Sequence, residues 1–423
     1  MKEVTPILRK VAAVVLLTAL TTACDSSPPP FECRDRIGCI QISAGQPIKI
    51  GVLQALSGKV APLGEDQIRG IELSVEKHGG RLLDHPIALQ TEDTGCTAEG
   101  GANAALKLIA DPQTTAILGT TCSVAAASAS QAMSEAGMVM ISGNNSAPFL
   151  TAIAGEHAPD WHAGYFRTAP NEEHSGKTAA LYAFNELGVQ RVATINDGDI
   201  YTRGLTEGFE KVFTALGGKI VLSSAVHKGD KEMRPVLDAV LNAKAELLFF
   251  PLFQPEGNLL LIEARKITAF DAIHLMSDGA LIESSFIKDV QSAATGMYFV
   301  GPANPEGPTV SAVANAYTAK FETPPATSYY LSAYDAAGLL LAALERVAVR
   351  SADGTLHIGR QALRDALYAT RQYAGVTGVL TCDPFGDCAA PAFNVLQLQD
   401  PNKGVQGLLA NVLFTYAPKK ASK

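Results

Sequence analysis

The sequence predicts an α/β protein made of two doubly wound lobes, each a parallel sheet with helices on both faces. Three observations carry this. From residue 48 onward, apolar stretches of strand length alternate with stretches of helix length. The alternation runs once to about residue 142 and restarts after Arg167-Thr168-Ala169-Pro170. Small and polar residues gather where the strands end, which is where open α/β sheets hold ligands.

In the first lobe a strand is expected over 48–56 (IKIGVLQAL), closed by Ser57-Gly58. A helix over 65–78 follows, with Ile68, Ile71, Leu73 and Val75 largely on one side. Then come a strand over 87–94, an Ala-rich helix over 98–110, a strand over 116–121, a helix over 124–135 and the strand 138–142 (MVMIS). The second lobe reads as helix 175–187, strand 191–195, helix 202–216 stopped by Gly217-Gly218, strand 219–226, helix 233–244, strand 247–252, helix 255–267 and strands 273–276 and 296–300. A long helix over 328–347 carries a wide apolar face. A third portion, from Gln372, ends in short strands near Val379, at 393–398 and at 413–416. The strand ends at Ser57-Gly58, 93–96, Cys122-Ser123 and 143–146 face those at 197–201, Phe253-Gln254 and 277–279, which describes a clamshell.

Composition narrows the function. Of 423 residues, 47% are hydrophobic and 18% charged, which excludes wholesale disorder. A net charge of −8 argues against nucleic acid as a partner. Lys2, Arg9 and Lys10 precede the apolar run 11–20, too short to span a membrane, and small residues lead to Cys24. This reads as a secretory signal over 1–23. The ending Leu20-Thr21-Thr22-Ala23-Cys24 resembles a bacterial lipoprotein box, with Thr21 where Leu is usual. The alternative is an ordinary cleaved signal with Cys24 incidental. Asp25 and the Ser/Pro run to Pro30 make a stiff linker that would hold the domain off the membrane, so 24–46 is assigned to the lipidated cysteine and linker.

Seven cysteines are an odd set. If Cys24 carries lipid, six remain, suited to an oxidising compartment. Cys96 and Cys122 follow neighbouring parallel strands, at a separation a disulfide allows. Cys33 and Cys39, and Cys382 and Cys388, could each close a small loop; their spacing does not fit structural zinc. The chain has no G-x-S-x-G, H-E-x-x-H, G-x-G-x-x-G or P-loop, so no catalysis and no cofactor are expected. His157, His162 and His174, with Glu156, Asp160, Glu172 and Glu173, form the one metal-like cluster; it matches no helical ligand pair and reads as a solvated loop.

Several stretches resemble the type I periplasmic binding proteins of branched-chain amino acid transporters: 50–58 (IGVLQALSG) with Gly64, Ile68-Arg69-Gly70, Glu92 to Cys96, Gly119 to Ser123, Ile141-Ser142 with Ser146-Ala147-Pro148, Phe166-Arg167-Thr168, Tyr334-Asp335-Ala336, and Gly378 with Gly386-Asp387. They run in order across almost the whole mature chain, and Cys96/Cys122 stand in the family's disulfide position. The resemblance implies two lobes joined by three crossovers, near 167–170, 300–302 and 378–382. Lobe one would then be 47–167 with 301–378, and lobe two 168–300 with 379–418.

It further implies a ligand α-carboxylate at Ser123, Asn144 and Ser146, and an α-ammonium at Asp278, where the best-known members carry Glu. Tyr201 matches the tyrosine of a Tyr-Gly element, with Thr202 replacing the glycine. Leu63 stands where several relatives have an aromatic, and Phe253 and Gln254 where others have tyrosines. Ser57 and Phe253 complete the candidate set. The implied function is an extracytoplasmic, lipid-anchored, monomeric receptor that delivers a small polar solute, an amino acid first, to a permease with a separate ATPase. The alternatives are a sensor of the same fold, or an amide or urea as solute.

Overall fold

The computed structural model describes residue 1 and residues 31–303 and 305–418; the signal segment, Cys24 and the linker up to Pro30 lie outside the described residues. Lobe one is built from β1 (Ile48–Gln54), α1 (Ala61–Lys77), β2 (His85–Asp93), α2 (Ala98–Ile109), β3 (Thr114–Gly119), α3 (Ser123–Glu135), β4 (Met140–Ser142) and β5 (Tyr165–Arg167). Its sheet runs β2-β1-β3-β4-β5 in parallel, with the short strand Arg81–Leu82 antiparallel at the β2 edge. The two-residue period of β1 sorts its side chains. Ile48, Ile50 and Val52 enter the core under the first helix, and Leu53 enters the core on the other face, with Ala104 and Leu108 of α2. α1 begins four residues before its expected start because Pro62, already set to helical φ, opens its first turn.

The chain crosses to lobe two through 168–172. There follow α4 (Glu173–Asn185), β6 (Arg191–Asn196), α5 (Ile200–Ala215), β7 (Lys219–Ala225), α6 (Arg234–Asn242), β8 (Leu247–Phe249), α7 (Glu256–Arg265), β9 (His274–Asp278), α8 (Ser284–Val290) and β10 (Tyr298–Pro302). The chain then returns to lobe one with α9 (Pro308–Phe321), α10 (Tyr329–Val347) and α11 (Arg360–Tyr368), and ends in lobe two with β11 (Phe393–Gln397) and β12 (Val412–Tyr416). The second sheet is β7-β6-β8-β9-β10, all parallel, extended by antiparallel β11 and β12. α10 lies against α1 so closely that a Cβ on Gly70 would stand 2.1 Å from the Tyr330 carbonyl oxygen.

Two boundaries differ from expectation. Strand Cys39–Ile42 pairs antiparallel with Leu356–Gly359 and buries Ile40 and Ile42, so the fold begins inside the segment assigned to the linker. The third crossing also comes later than 378–382. Leu380, Cys382 and Cys388 are buried in the lobe-one core, and Asp387 bridges to Arg167 beside β5, so the chain leaves lobe one at about 389–392. The pairs Cys33–Cys39, Cys96–Cys122 and Cys382–Cys388 are all bonded. No described helix is long and apolar enough to cross a membrane.

The added strand is predicted to be part of the cooperative unit. Ile42→Ala should cost about 2–5 kcal/mol in a urea melt, the range for a buried Ile; a cost under about 0.5 kcal/mol would place the strand outside the core.

Candidate functional site

Between the lobes the strand ends line a small cavity. Lobe one contributes Leu63, Thr121, Ser123, Asn144 and Ser146. Tyr201, Phe253 and Ala280 come from lobe two, and Tyr329 from the first turn of α10. Ser123 opens α3, whose N-cap residue, Cys122, makes no side-chain cap, so the first N–H groups of that helix have no intrahelical partner. Ser123 Oγ accepts from the Ala147 N–H at 3.3 Å, which leaves its own hydroxyl proton to be given. Asn144 Nδ2 uses one hydrogen on the Thr121 carbonyl at 2.8 Å and keeps a second. This wall offers hydrogens and the positive end of a helix dipole.

Two other lining hydroxyls, Ser146 of lobe one and Tyr201 of lobe two, offer lone pairs. Ser146 Oγ donates its proton to Glu172 Oε2 at 2.7 Å, and Tyr201 Oη donates its proton to Asp278 Oδ2. Having given up their hydrogens, both hydroxyls can only accept from a molecule in the cavity. Glu172 and Asp278 are fully buried and stand one hydrogen bond behind the lining. Burial, with the Asp278 carboxylate beside it, pushes the Glu172 carboxyl up to about 8. Burial also raises Asp278, to about 6, against the lowering effect of the Tyr201 hydrogen bond. The cation acting on Glu172 is Arg167, which is already paired with Asp387.

A larger cavity lies at the crossovers. Pro170, Pro302 and Pro305 help to line it, with Thr168, Ser332 and Thr377, and like the cavity between the strand ends it has no charged side chain in its wall. The cavity between the strand ends has the buried carboxyls of Glu172 and Asp278 one hydrogen bond behind its lining hydroxyls.

Residues 47–397 match the periplasmic binding protein family. The chain belongs to that family. The Leu/Ile/Val-binding protein BraC3 of Rhizobium johnstonii is 27% identical over 352 residues, which cover 82% of this chain and 90% of the relative. Two solved structures share the fold. The branched-chain amino acid transporter substrate-binding protein LivJ from Streptococcus pneumoniae, in complex with isoleucine, superposes with a TM-score of 0.74 at 19% identity, covering 89% of this chain and all of the other. A solute-binding protein from R. palustris in complex with benzoate gives 0.71 at 22% identity, covering 88% and 98%.

In this binding protein Ser123, Asn144, Ser146, Tyr201 and Phe253 come together on the cavity, but Ser146 departs from the carboxylate-donor role expected of it, because its proton is given to Glu172 and only lone pairs are left toward the cavity. Asp278 reaches it only through the Tyr201 hydroxyl. Ser57 does not line it: that residue is exposed on the rim and its hydroxyl bonds Asp93. Glu172 and Tyr329 were absent from the candidate set. Glu172 sat in the expected metal-like loop, whose members disperse: His157 packs on Trp161, His174 faces Tyr416, and Glu172 alone turns to the cavity. Among the described residues no group of three or more His, Cys, Asp or Glu is placed to hold a metal.

The lobes of the binding protein are closed on each other. Lys59, after β1, meets Asp289 of α8 at 2.8 Å across the cleft, and Arg203 of α5 lies over the Phe149 ring. At the hinge, Arg167 is fully buried and donates to Asp387, to Thr151 Oγ1 and to the Ala147 carbonyl. The Cys382–Cys388 loop presents Asp387 to it, and Trp161 Nε1 donates to the Phe385 carbonyl of the same loop at 3.0 Å.

Glu172 and Asp278 both have pKa values raised by folding. Their protonated forms therefore favour the native state at low pH, and this is lost as pH climbs through about 6 and about 8. Unfolding free energy of the ligand-free protein should fall between pH 5 and pH 8 by more than about 1 kcal/mol, and Glu172→Gln should flatten part of that slope. A stability that rises steadily to pH 8 would contradict the burial of these acids.

Proposed function

We propose that this protein captures an amino acid of the branched-chain kind outside the cytoplasm and hands it to a membrane permease driven by a separate ATPase. The observation that carries the reading is the pairing of a donor wall with an acceptor wall in one small cavity. A zwitterion fits both. Its carboxylate would take hydrogens from Ser123, Asn144 and the α3 terminus. Its ammonium would give hydrogens to Ser146 and Tyr201, whose basicity Glu172 and Asp278 raise from behind. Leu63, Phe253, Ala280 and Tyr329 leave an apolar remainder for an aliphatic side chain.

The fold by itself does not choose the ligand, since neighbours hold isoleucine in one case and benzoate in another. The acceptor wall does discriminate. Benzoate has a carboxylate for Ser123 but nothing to donate to Ser146 and Tyr201. The name of the Rhizobium johnstonii relative points the same way as the wall. With six cysteines paired, Cys24 is left over, and its lipidation would tether a monomeric receptor beside its permease and raise its effective concentration there. Ligand contacts to both lobes exist only in the closed form, so binding shifts the population toward the form that docks.

A thermal-shift screen of the chain from Phe31 tests this. Leucine, isoleucine or valine at 100-fold its dissociation constant should stabilise by about 2.7 kcal/mol, and benzoate should not. Asp278→Asn should weaken amino-acid binding by about 1.5–3 kcal/mol in calorimetry. Unchanged affinity in that variant, or a shift with benzoate alone, would overturn the assignment.

A further inference from the structure

Glu172 sits where the hydrogens do not add up. Ser146 gives its proton to Glu172 Oε2, and Tyr201 gives its one phenolic proton to Asp278. Yet Tyr201 Oη also lies 3.5 Å from Glu172 Oε1. With both acids ionised, that contact would set two lone-pair oxygens against each other in a dry site, a costly arrangement. A proton on Glu172 Oε1 resolves it: Glu172 donates to Tyr201, Tyr201 donates to Asp278, and one negative charge remains in the cluster.

Every neighbour of Glu172 is consistent with this. Ser146, after β4, is a donor to its other oxygen. Tyr201 of α5 and Tyr329 of α10 are buried phenols, and Asp278 at the end of β9 is a like charge. Arg167 of β5 is committed to Asp387.

We propose that Glu172 is a positioning residue that holds one proton in the ligand-free site and releases it to solvent when a cationic group docks on Ser146 and Tyr201. The cation enters as the proton leaves, so the buried cluster keeps one net negative charge. The ligand's N–H groups take over the contact that the proton served. A neutral donor such as an amide or urea brings no charge and expels no proton. Glu172 thereby favours ammonium-bearing solutes over neutral ones. This deepens the amino-acid reading and rests on it.

The test is calorimetry at pH 7 with L-leucine as the probe, in phosphate and in Tris, two buffers with different heats of ionisation. The expected result is a difference in binding heat that corresponds to release of close to one proton per leucine. Affinity should rise by up to about tenfold per pH unit from pH 6 to pH 8. Glu172→Gln should abolish both effects. Binding with equal heats in the two buffers, or a buffer difference that persists in Glu172→Gln, would overturn the proposal. If leucine does not bind at all, the amino-acid reading fails, and the proton is then tested without ligand. The infrared difference between the ligand-free protein and Glu172→Gln at pH 7 should show the loss of a protonated carboxyl band. Loss of carboxylate bands only would overturn the proposal.

Discussion

The closed molecule confines two acids, Glu172 and Asp278, in one water-poor site without a spare cation. That constraint orders its surroundings. It fixes the hydroxyls of Ser146 and Tyr201 as donors to the acids and hence as acceptors toward the cavity. The hydrogens left to give lie elsewhere on the cavity, where α3 begins and Ser123 keeps its hydroxyl proton.

The hinge is arranged so that closure does not disturb its own pivot. Arg167 is a buried charge with its hydrogens placed on Asp387, Thr151 and backbone carbonyls, and such a network is costly to break. Asp387 is held by a loop cross-linked at Cys382–Cys388 and is also bound by Asn171 on the first crossing segment at 3.0 Å. By contrast, the Lys59–Asp289 contact at the cleft mouth is exposed and worth about 0–1 kcal/mol. A rigid pivot with a weak latch leaves the balance between open and closed forms to the contacts that the ligand makes.

The sequence showed most of this fold because parallel sheets covered on both faces leave a dense local record. The run 48–54 is mostly apolar, with half-buried Lys49 between the buried Ile48 and Ile50, while Cys96 and Cys122, expected after neighbouring strands, follow the two strands that flank β1 and are bonded across its end. What it did not show depends on distant partners. Cys39–Ile42 has four residues and pairs with a strand more than 300 residues away, so nothing in its own composition separates it from a linker. The third crossing was placed early because a short strand near Val379 carries no mark of its lobe; the burial of Leu380, Cys382 and Cys388 in the lobe-one core and the Arg167–Asp387 bridge assign the segment. Glu172 lies in the polar run Asn171-Glu172-Glu173-His174, where one glutamate looks like the next. The fold buries Glu172 against Ser146 and leaves Glu173 half-buried at the surface. The resemblance pointed to Asp278 and Tyr201 but not to the bond that sets the Tyr201 hydroxyl between Asp278 and the cavity, because a hydrogen bond between residues 77 apart leaves no mark in their order.

The central claim is that both walls must be satisfied by a single ligand. Its most direct test is a calorimetric comparison of L-leucine with its two halves, 4-methylpentanoate, which lacks the ammonium, and 3-methylbutylamine, which lacks the carboxylate. The account predicts that leucine binds and that each half is weaker by at least about tenfold, the loss of a hydrogen-bonded charged group. Equal affinity for 4-methylpentanoate and leucine would contradict it, because the acceptor wall built on Ser146, Tyr201, Glu172 and Asp278 would then have no part in recognition.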